Sequence, residues 1–357
     1  MAQYPSGFKF TVKNADGSLQ PAISSIVSIC GNNNAGQYGD TTSFVTGSFP
    51  VAKMYDKNWK QIGFGNQNFY GIAYDGSLWA CGYNGSNGLI GNGSTSVNYS
   101  SPVMVGSSKK WASITPTQNQ TVFGIQTDGT LWSWGQNSQG YLGQGNNTGC
   151  STPVQVGTST NWKQVFKTNG TVMWAQKTDG TIWAWGYGQA YPLGNGTLSS
   201  YSSPIQVGSG STWKSLASTG AGMIGIKTDG SLWAWGYSVY GELPPGSYLY
   251  TPTQVGTDTN WDTVYGAGNS YAAFGVRTDG SLWAWGNNGN GQLGINNTGS
   301  SYASPVQVGS DTNWKGVKIT GNSNSVTALK LDGTAWVWGD NSSYQLGNGN
   351  NLKYSSP

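Results

Sequence analysis

Fourteen carboxylates, three cysteines and no histidine make up the acid–base and metal-ligating inventory of this 357-residue chain. Proton transfer near neutral pH falls most often to histidine, and otherwise to Asp or Glu. Seven of the carboxylates (Asp16, Asp75, Asp128, Asp179, Asp229, Asp279 and Asp332) directly precede a glycine and read as turn formers. The remainder are Asp40, Asp56, Asp258, Asp262, Asp311, Asp340 and the single glutamate, Glu242. Asp258 and Asp311 occupy matching places shortly before a tryptophan and also read as structural. A paired-carboxylate hydrolase would have to be assembled from what is left, so the inventory points away from an enzyme. No Cys/His spacing suits zinc and no alternating-Asp loop suits calcium; no metal and no cofactor are expected. Cys30 and Cys81 stand where other repeats carry tryptophan, which predicts buried free thiols.

The residues left for recognition are tyrosines. Two segments depart from the loops around them: Tyr187-Gly188-Gln189-Ala190-Tyr191-Pro192, running on to Tyr201, and Tyr237-Ser238-Val239-Tyr240-Gly241-Glu242, running through Pro244-Pro245 to Tyr248 and Tyr250. Tyrosine among Ser, Gly and Asn offers rigid amphipathic rings beside small hydrogen-bonding groups, the chemistry of adaptable binding loops. The candidate ligand-binding residues are therefore Tyr187, Tyr191, Tyr201, Tyr237, Tyr240, Glu242, Tyr248 and Tyr250. Packing of these rings on neighbouring loops is the alternative reading.

What must position them is a tandem repeat. The pattern Asp-Gly-[Ser/Thr]-x-Trp recurs at Asp75, Asp128, Asp179, Asp229, Asp279 and Asp332, and each copy reaches a glycine seven residues after the aspartate: Gly82, Gly135, Gly186, Gly236, Gly286 and Gly339. One more step upstream lands on Gly31. Seven units of about 51 residues use the whole chain. Within one unit, Trp162–Val165, Val172–Gln176 and Thr181–Trp185 read as strands, with a further apolar run after Pro204 (Ile205 to Gly208). Asp-Gly suits a two-residue type I′ hairpin, whose central residues both need positive φ. Trp183 and Trp185 share one face of their strand. Four short strands per unit without helical periodicity predict an all-β, seven-bladed β-propeller spanning 1–357 as a single domain. Residues 1–22 are expected to be an irregular closing segment, with N- and C-terminal strands completing one blade and so removing open sheet edges.

The best copy of the loop after the Trp strand, Gly286-Asn287-Asn288-Gly289-Asn290-Gly291-Gln292-Leu293-Gly294, together with the Asp-Gly-Ser-Leu-Trp-Ala-Trp run before it, resembles the repeat of the regulator of chromosome condensation family. The aromatic-rich copies look like those of bacterial and bacteriophage members. The resemblance implies a seven-bladed propeller that works by contact through one face. Members include a eukaryotic nucleotide-exchange factor that docks on chromatin and secreted bacterial inhibitors of β-lactamases.

Charged residues are 9% of the chain and the net charge is +3. Lys109-Lys110 is the only basic pair of note, so no nucleic-acid partner is expected. No run of about 20 apolar residues exists to span a membrane, and Met1 to Gly7 has no signal-peptide character. A polar, low-charge, aromatic-rich surface without an export signal suggests a protein carried outside by particle assembly. The leading expectation is thus a non-enzymatic bacteriophage virion component (tail fibre, baseplate or capsid surface) touching a host-surface glycan or protein, or a neighbouring subunit. Alternatives are a bacterial extracellular adhesin or self-assembling surface protein, and an intracellular protein-interaction propeller of exchange-factor or inhibitor type.

Overall fold

The computed structural model describes residues 27–32, 46–53, 59–65, 67–117, 120–166, 168, 171–189, 192–210, 212–219, 221–243, 248–266, 271–320, 324–342, 346 and 348–357. Every regular element among them is a β-strand. The chain divides into two compact units, with the boundary between Gln164 and Val165.

Before that boundary, β1 (Val27–Asn32) and β2 (Thr46–Lys53) form a two-stranded ladder. Two four-stranded antiparallel sheets follow. The first contains β3 (Trp59–Phe64), β4 (Asn68–Ala73), β5 (Leu78–Gly82) and β6 (Tyr99–Val105). The second contains β7 (Trp111–Pro116), β8 (Thr121–Gln126), β9 (Leu131–Gly135) and β10 (Cys150–Gln155). β11 (Trp162–Val165) lies across the boundary and heads a sheet with β12 (Val172–Lys177), β13 (Ile182–Gly186) and β14 (Tyr201–Val207). The next sheet contains β15 (Trp213–Ser218), β16 (Gly222–Lys227), β17 (Leu232–Tyr237) and β18 (Tyr248–Val255). It is followed by β19 (Trp261–Gly266), β20 (Ala272–Arg277), β21 (Leu282–Gly286) and β22 (Tyr302–Gln307). The last sheet holds β23 (Trp314–Thr320), β24 (Ser325–Lys330) and β25 (Ala335–Gly339). In each of these six sheets the strands pair in sequence order.

Six blades are therefore described, five of four strands and one of three, where seven were expected. The first repeat is the exception for a local reason. Its aspartate lies fifteen residues before its glycine (Asp16 to Gly31), not seven, and no Trp strand precedes Cys30. Without the turn and the indoles, this region contributes only the β1–β2 ladder among the described residues. Residues 1–22 and the proposed closing strand Phe8–Val12 lie outside the described residues. At the other end, Tyr354 makes a single antiparallel bridge to Gly339, the place that Tyr302 takes opposite Gly286.

The Asp-Gly turn also differs from expectation. Gly180, Gly230 and Gly280 have positive φ, but their aspartates do not appear among the positive-φ residues. The amide of Gly230 donates to the Lys227 carbonyl and that of Lys227 to the Ser231 carbonyl. This is a three-residue hairpin with a terminal left-handed glycine, not type I′. The aspartate works through its side chain. Asp229 Oδ1 accepts from the Ser231 amide and hydroxyl at 2.9 and 2.6 Å, and the Ser231 hydroxyl accepts the Trp233 indole N–H at 2.8 Å. The hydroxyl bond from Ser231, and then its amide bond, hold the carboxyl of Asp229 below the usual carboxylate range. Lys227 Nζ lies 3.3 Å from the centroid of the Trp233 ring, so the half-buried indole is fixed at edge and face.

Packing between successive blades follows from the same motif. The Gly230 carbonyl accepts the amide of Trp261, the first residue of the next blade, at 3.2 Å. A Cβ on Gly230 would collide with the Thr259 carbonyl, so this turn requires glycine twice over. The second indole of each Trp strand is fully buried, as in Trp134, Trp235, Trp285 and Trp338. Trp285 donates across to the Glu242 carbonyl at 3.0 Å and Trp338 to the Gln292 carbonyl at 2.9 Å. The apolar clusters accordingly join neighbouring blades: Ile224, Leu232 and Leu243 pack with Trp261, Val264 and Trp285. Cys81, in the second Trp position, is a buried cysteine beside Trp59 and Phe69; the Cys30 side chain is not among those described.

Candidate functional site: a tyrosine array at the loop end of one blade

Antiparallel pairing puts the Asp-Gly hairpin of each blade at one end. The opposite end carries the connection between its first two strands and the longer loop after the Trp strand. One backbone bond frames that loop end. The residue after the Trp-strand glycine donates its amide to the residue just before the second strand: Gln136 to Gln120, Tyr237 to Ala221 and Asn287 to Tyr271, at 2.7, 3.0 and 2.9 Å. The frame is constant and its side chains are not, which is where specificity can reside on a rigid scaffold.

Within most blades a buried asparagine then closes the loop. Asn137 Oδ1 accepts the Leu142 amide at 2.8 Å while its Nδ2 donates to the Asn146 and Thr148 carbonyls. Asn288 does the same for Leu293 and Asn297. The β17–β18 loop has Ser238 at that position; its hydroxyl accepts the Leu243 amide at 3.2 Å, and Glu242 holds the turn in between. Its Oε1 accepts the Val239 amide at 3.0 Å, and its Oε2 accepts the Tyr240 amide at 2.7 Å and the Ser238 hydroxyl at 3.2 Å. Glu242 is 0% exposed, and burial raises its carboxyl above the usual range despite those donors. It was a candidate ligand contact; the structure makes it an internal clamp whose effect is to place Tyr240.

The tyrosines separate into groups. Tyr237 ends β17 and pairs across the strand with Tyr248, the first residue of β18; their ring centroids are 4.6 Å apart. Tyr248 and Tyr250, two residues apart and so on one face, lie 6.4 Å apart with planes 17° from parallel. Leu249 between them points the other way, into the core. The backbone beneath is tied down, since the Tyr250 carbonyl accepts the Gly196 amide at 2.8 Å. Tyr240 packs on Tyr271 at 5.4 Å. Tyr240, Tyr248 and Tyr250 are 43, 47 and 42% exposed. Tyr201, by contrast, packs partly buried against the core of its own blade. Tyr187 is half-buried with its amide on the Thr171 carbonyl. Tyr191 lies outside the described residues.

Several of these tyrosines were expected in loops and are strand residues. Fourth strands were expected to begin at the prolines, but they begin earlier: β14 begins at Tyr201, opposite the Trp-strand glycine Gly186, and β18 begins at Tyr248, opposite Tyr237 just after Gly236. A bulge separates each pair from the regular ladder, and the proline, which has no N–H to give, sits at the irregular stretch. Tyr271 was missed because it sits alone between strands in the sequence; its φ of 49° belongs to a position that adopts this conformation in other blades too, at Gln120 and Asn324.

Among the described residues, no three His, Cys, Asp or Glu side chains gather where they could hold a metal ion. No described helix is long and apolar enough to cross a membrane. The array offers aromatic faces and hydroxyl groups without charge.

Comparison with known proteins agrees with this geometry. The family described as "Regulator of chromosome condensation (RCC1) repeat" matches residues 128–167, 179–222 and 279–329, and a second repeat description of the same name matches 263–292. The human E3 ubiquitin-protein ligase HERC2 is 28% identical over 176 residues, covering 47% of this chain and 4% of HERC2; the chain thus spans a small fraction of that relative. Among solved structures, Prp20p from Saccharomyces cerevisiae aligns with a TM-score of 0.74 at 18% identity, over 94% of this chain and 86% of Prp20p. Its binding properties to Gsp1p and histones were described with that structure. Yeast RCC1 (Prp20) bound to Kap60 aligns at 0.72 and 16%, over 100% and 90% of the two chains. Human WBSCR16 aligns at 0.78 and 16%, over 93% and 94%. At these identities the likeness to the solved structures is one of fold.

Proposed function

From the premise that this chain carries RCC1 repeats on an RCC1-type β-propeller, we propose that it is a non-enzymatic binding module for a protein partner. Its contact surface is the loop end of the β15–β18 blade. The observation that carries this reading is the array of Tyr237, Tyr248 and Tyr250, with Tyr240 and Tyr271 nearby. Three of these rings stay two-fifths exposed or more while their backbone is hydrogen-bonded in place. Rigid, exposed tyrosines give large contact area at low entropic cost and are favoured anchors of interfaces. The relatives support protein contact in general: Prp20p binds Gsp1p and histones, and yeast RCC1 binds Kap60. Exchange-factor activity and ubiquitin ligation are not carried over, because no identified residue of this chain performs either.

A second setting for the same surface is an exposed virion or cell-surface protein that touches a neighbouring subunit or a host-surface glycan. The 9% charged content favours it; the relatives named above lend it no support. Photo-crosslinking tests the main reading. A crosslinker at position 248 should capture one protein partner, and the same group at exposed Leu331 should not. Equal labelling from both positions, or capture of polysaccharide alone from position 248, would overturn it.

A further inference from the structure

A cavity of about 210 Å³ lies between the two blades β3–β6 and β7–β10, at their loop ends. It is separate from the tyrosine array and belongs to the other compact unit. Its floor is made of the buried residues Asn68, Tyr70, Thr117 and Thr121, and its rim of Gln67, Tyr83 and Gln120. Leu89, Pro116 and Val122 supply an apolar portion of the wall.

The lining selects a chemical class. Its described residues include no Lys, Arg, Asp or Glu, so none of them compensates a phosphate, a carboxylate or an ammonium group, and burying an uncompensated charge is costly. The floor is nevertheless polar and ordered. Tyr70 Oη donates to the Leu89 carbonyl at 2.7 Å, which orders the floor. The Thr117 and Thr121 hydroxyls are 2.5 Å apart, and Thr117 Oγ1 is also 3.0 Å from the Thr121 carbonyl. Asn68 Nδ2 donates to the Tyr83 carbonyl and fixes the rim to the floor. At the rim, Gln120 Oε1 accepts from Asn87 at 3.3 Å. Its backbone, at φ 58°, is held by the Gln136 amide. Neutral donors and acceptors thus arrive from three chain segments around a space with an apolar flank and two tyrosines. The volume falls below the roughly 300–1,000 Å³ of pockets for drug-sized ligands, so one ring fits and an extended chain does not.

We propose that this cavity is a binding site for a single neutral pyranose unit, free or at the end of a glycan. A ring with hydroxyls around its edge and C–H groups on its faces matches polar groups on several sides and an aromatic or apolar contact. A nucleobase, polar along one edge, uses this distribution poorly.

Saturation-transfer NMR on the full chain tests the assignment, with the methyl glycosides of glucose, galactose, mannose and N-acetylglucosamine as probes and adenosine as a comparison. At least one glycoside should receive saturation and compete with the others. Tyr83→Ala and Gln120→Gly, both at the rim and the latter compatible with the positive φ, should each weaken binding about tenfold or more. Leu331→Ala, an exposed change in another blade, should leave it unchanged. Unaltered thermal midpoints for the rim variants separate lost binding from lost folding. Absence of transfer to every glycoside at millimolar concentration, stronger binding of adenosine, or binding that survives both rim substitutions would overturn the proposal. The protein-partner reading is untouched by any of these results.

Discussion

The indole N–H of Trp183 donates to Thr181 Oγ1 at 3.0 Å, and the same hydroxyl donates to Asp179 Oδ1 at 2.7 Å. Trp132, Trp233, Trp283 and Trp336 make the same link through Thr130, Ser231, Ser281 and Thr334. The hydroxyl is the joint of the hairpin, because it bonds both the turn carboxylate and the indole. Thr181→Val keeps the shape and the β-branching and removes the joint. It should lower stability by about 1 kcal/mol, the scale of one lost hydrogen bond with a half-wet partner. Thr181→Ser should retain most of it. Denaturant midpoints at constant slope would measure both.

Gly230→Ala should be far more damaging. The residue sits at φ 82° and faces the Thr259 carbonyl of the incoming strand. A methyl group there strains its own backbone and pushes the next blade away, for a loss of about 2–4 kcal/mol. Gly157→Ala, at φ 59° with open space around it, carries the backbone strain alone and should cost about 1 kcal/mol. Comparing the two midpoints isolates the steric contribution of blade docking.

Glu242→Gln gives a pH-dependent difference. The carboxyl is raised by burial, so its stabilising contribution is fully present when it is protonated and is lost as pH rises through its folded pKa. Glutamine, the residue at the matching position 292, does not titrate. Wild type should therefore lose ground to Glu242→Gln as pH climbs from about 4 toward 7. A constant offset is expected because the amide offers one acceptor oxygen where the carboxylate offers two. Thermal midpoints of both proteins across that range would show the divergence; parallel curves would mean that the buried carboxyl does not titrate differently in the folded state.

Tyr248→Ala with Tyr250→Ala should separate folding from recognition. Both rings are exposed and neither fills the core, so stability should change by no more than about 1 kcal/mol. Affinity for a partner captured from position 248 should fall at least tenfold, about 1.4 kcal/mol. Titration calorimetry beside a thermal melt would read both quantities.

Most of the scaffold is legible in the residues themselves. Asp-Gly, the paired tryptophans and the spacing of the glycines locate the strands of the β11–β14 blade to within a residue or two, apart from the start of β14. They also mark Cys81 as a substitute for an indole. What stayed hidden depends on distance in sequence. The type I′ expectation failed because Asp-Gly alone does not say how many residues the turn encloses. The Gly230 amide on the Lys227 carbonyl and the Lys227 amide on the Ser231 carbonyl settle that. Glu242 looked like a free functional group because it is the only glutamate, and nothing in its neighbours announces that three donors converge on it. The cavity beside Tyr83 is made by residues about fifty positions apart, with no local pattern to betray it. The blade count failed where the motif itself decays, around Gly31.

The backbone bond between a turn and the next blade's first tryptophan has a direction. In each described case the accepting carbonyl belongs to the earlier turn and the donating amide to the later strand: Gly76 to Trp111, Gly129 to Trp162, Gly230 to Trp261 and Gly280 to Trp314. A ribosome releases the acceptor before the donor. At these four junctions the new blade thus emerges to find a finished hairpin waiting to seat its first tryptophan, and the polypeptide can be laid down like courses of brick, each one levelled by the course beneath.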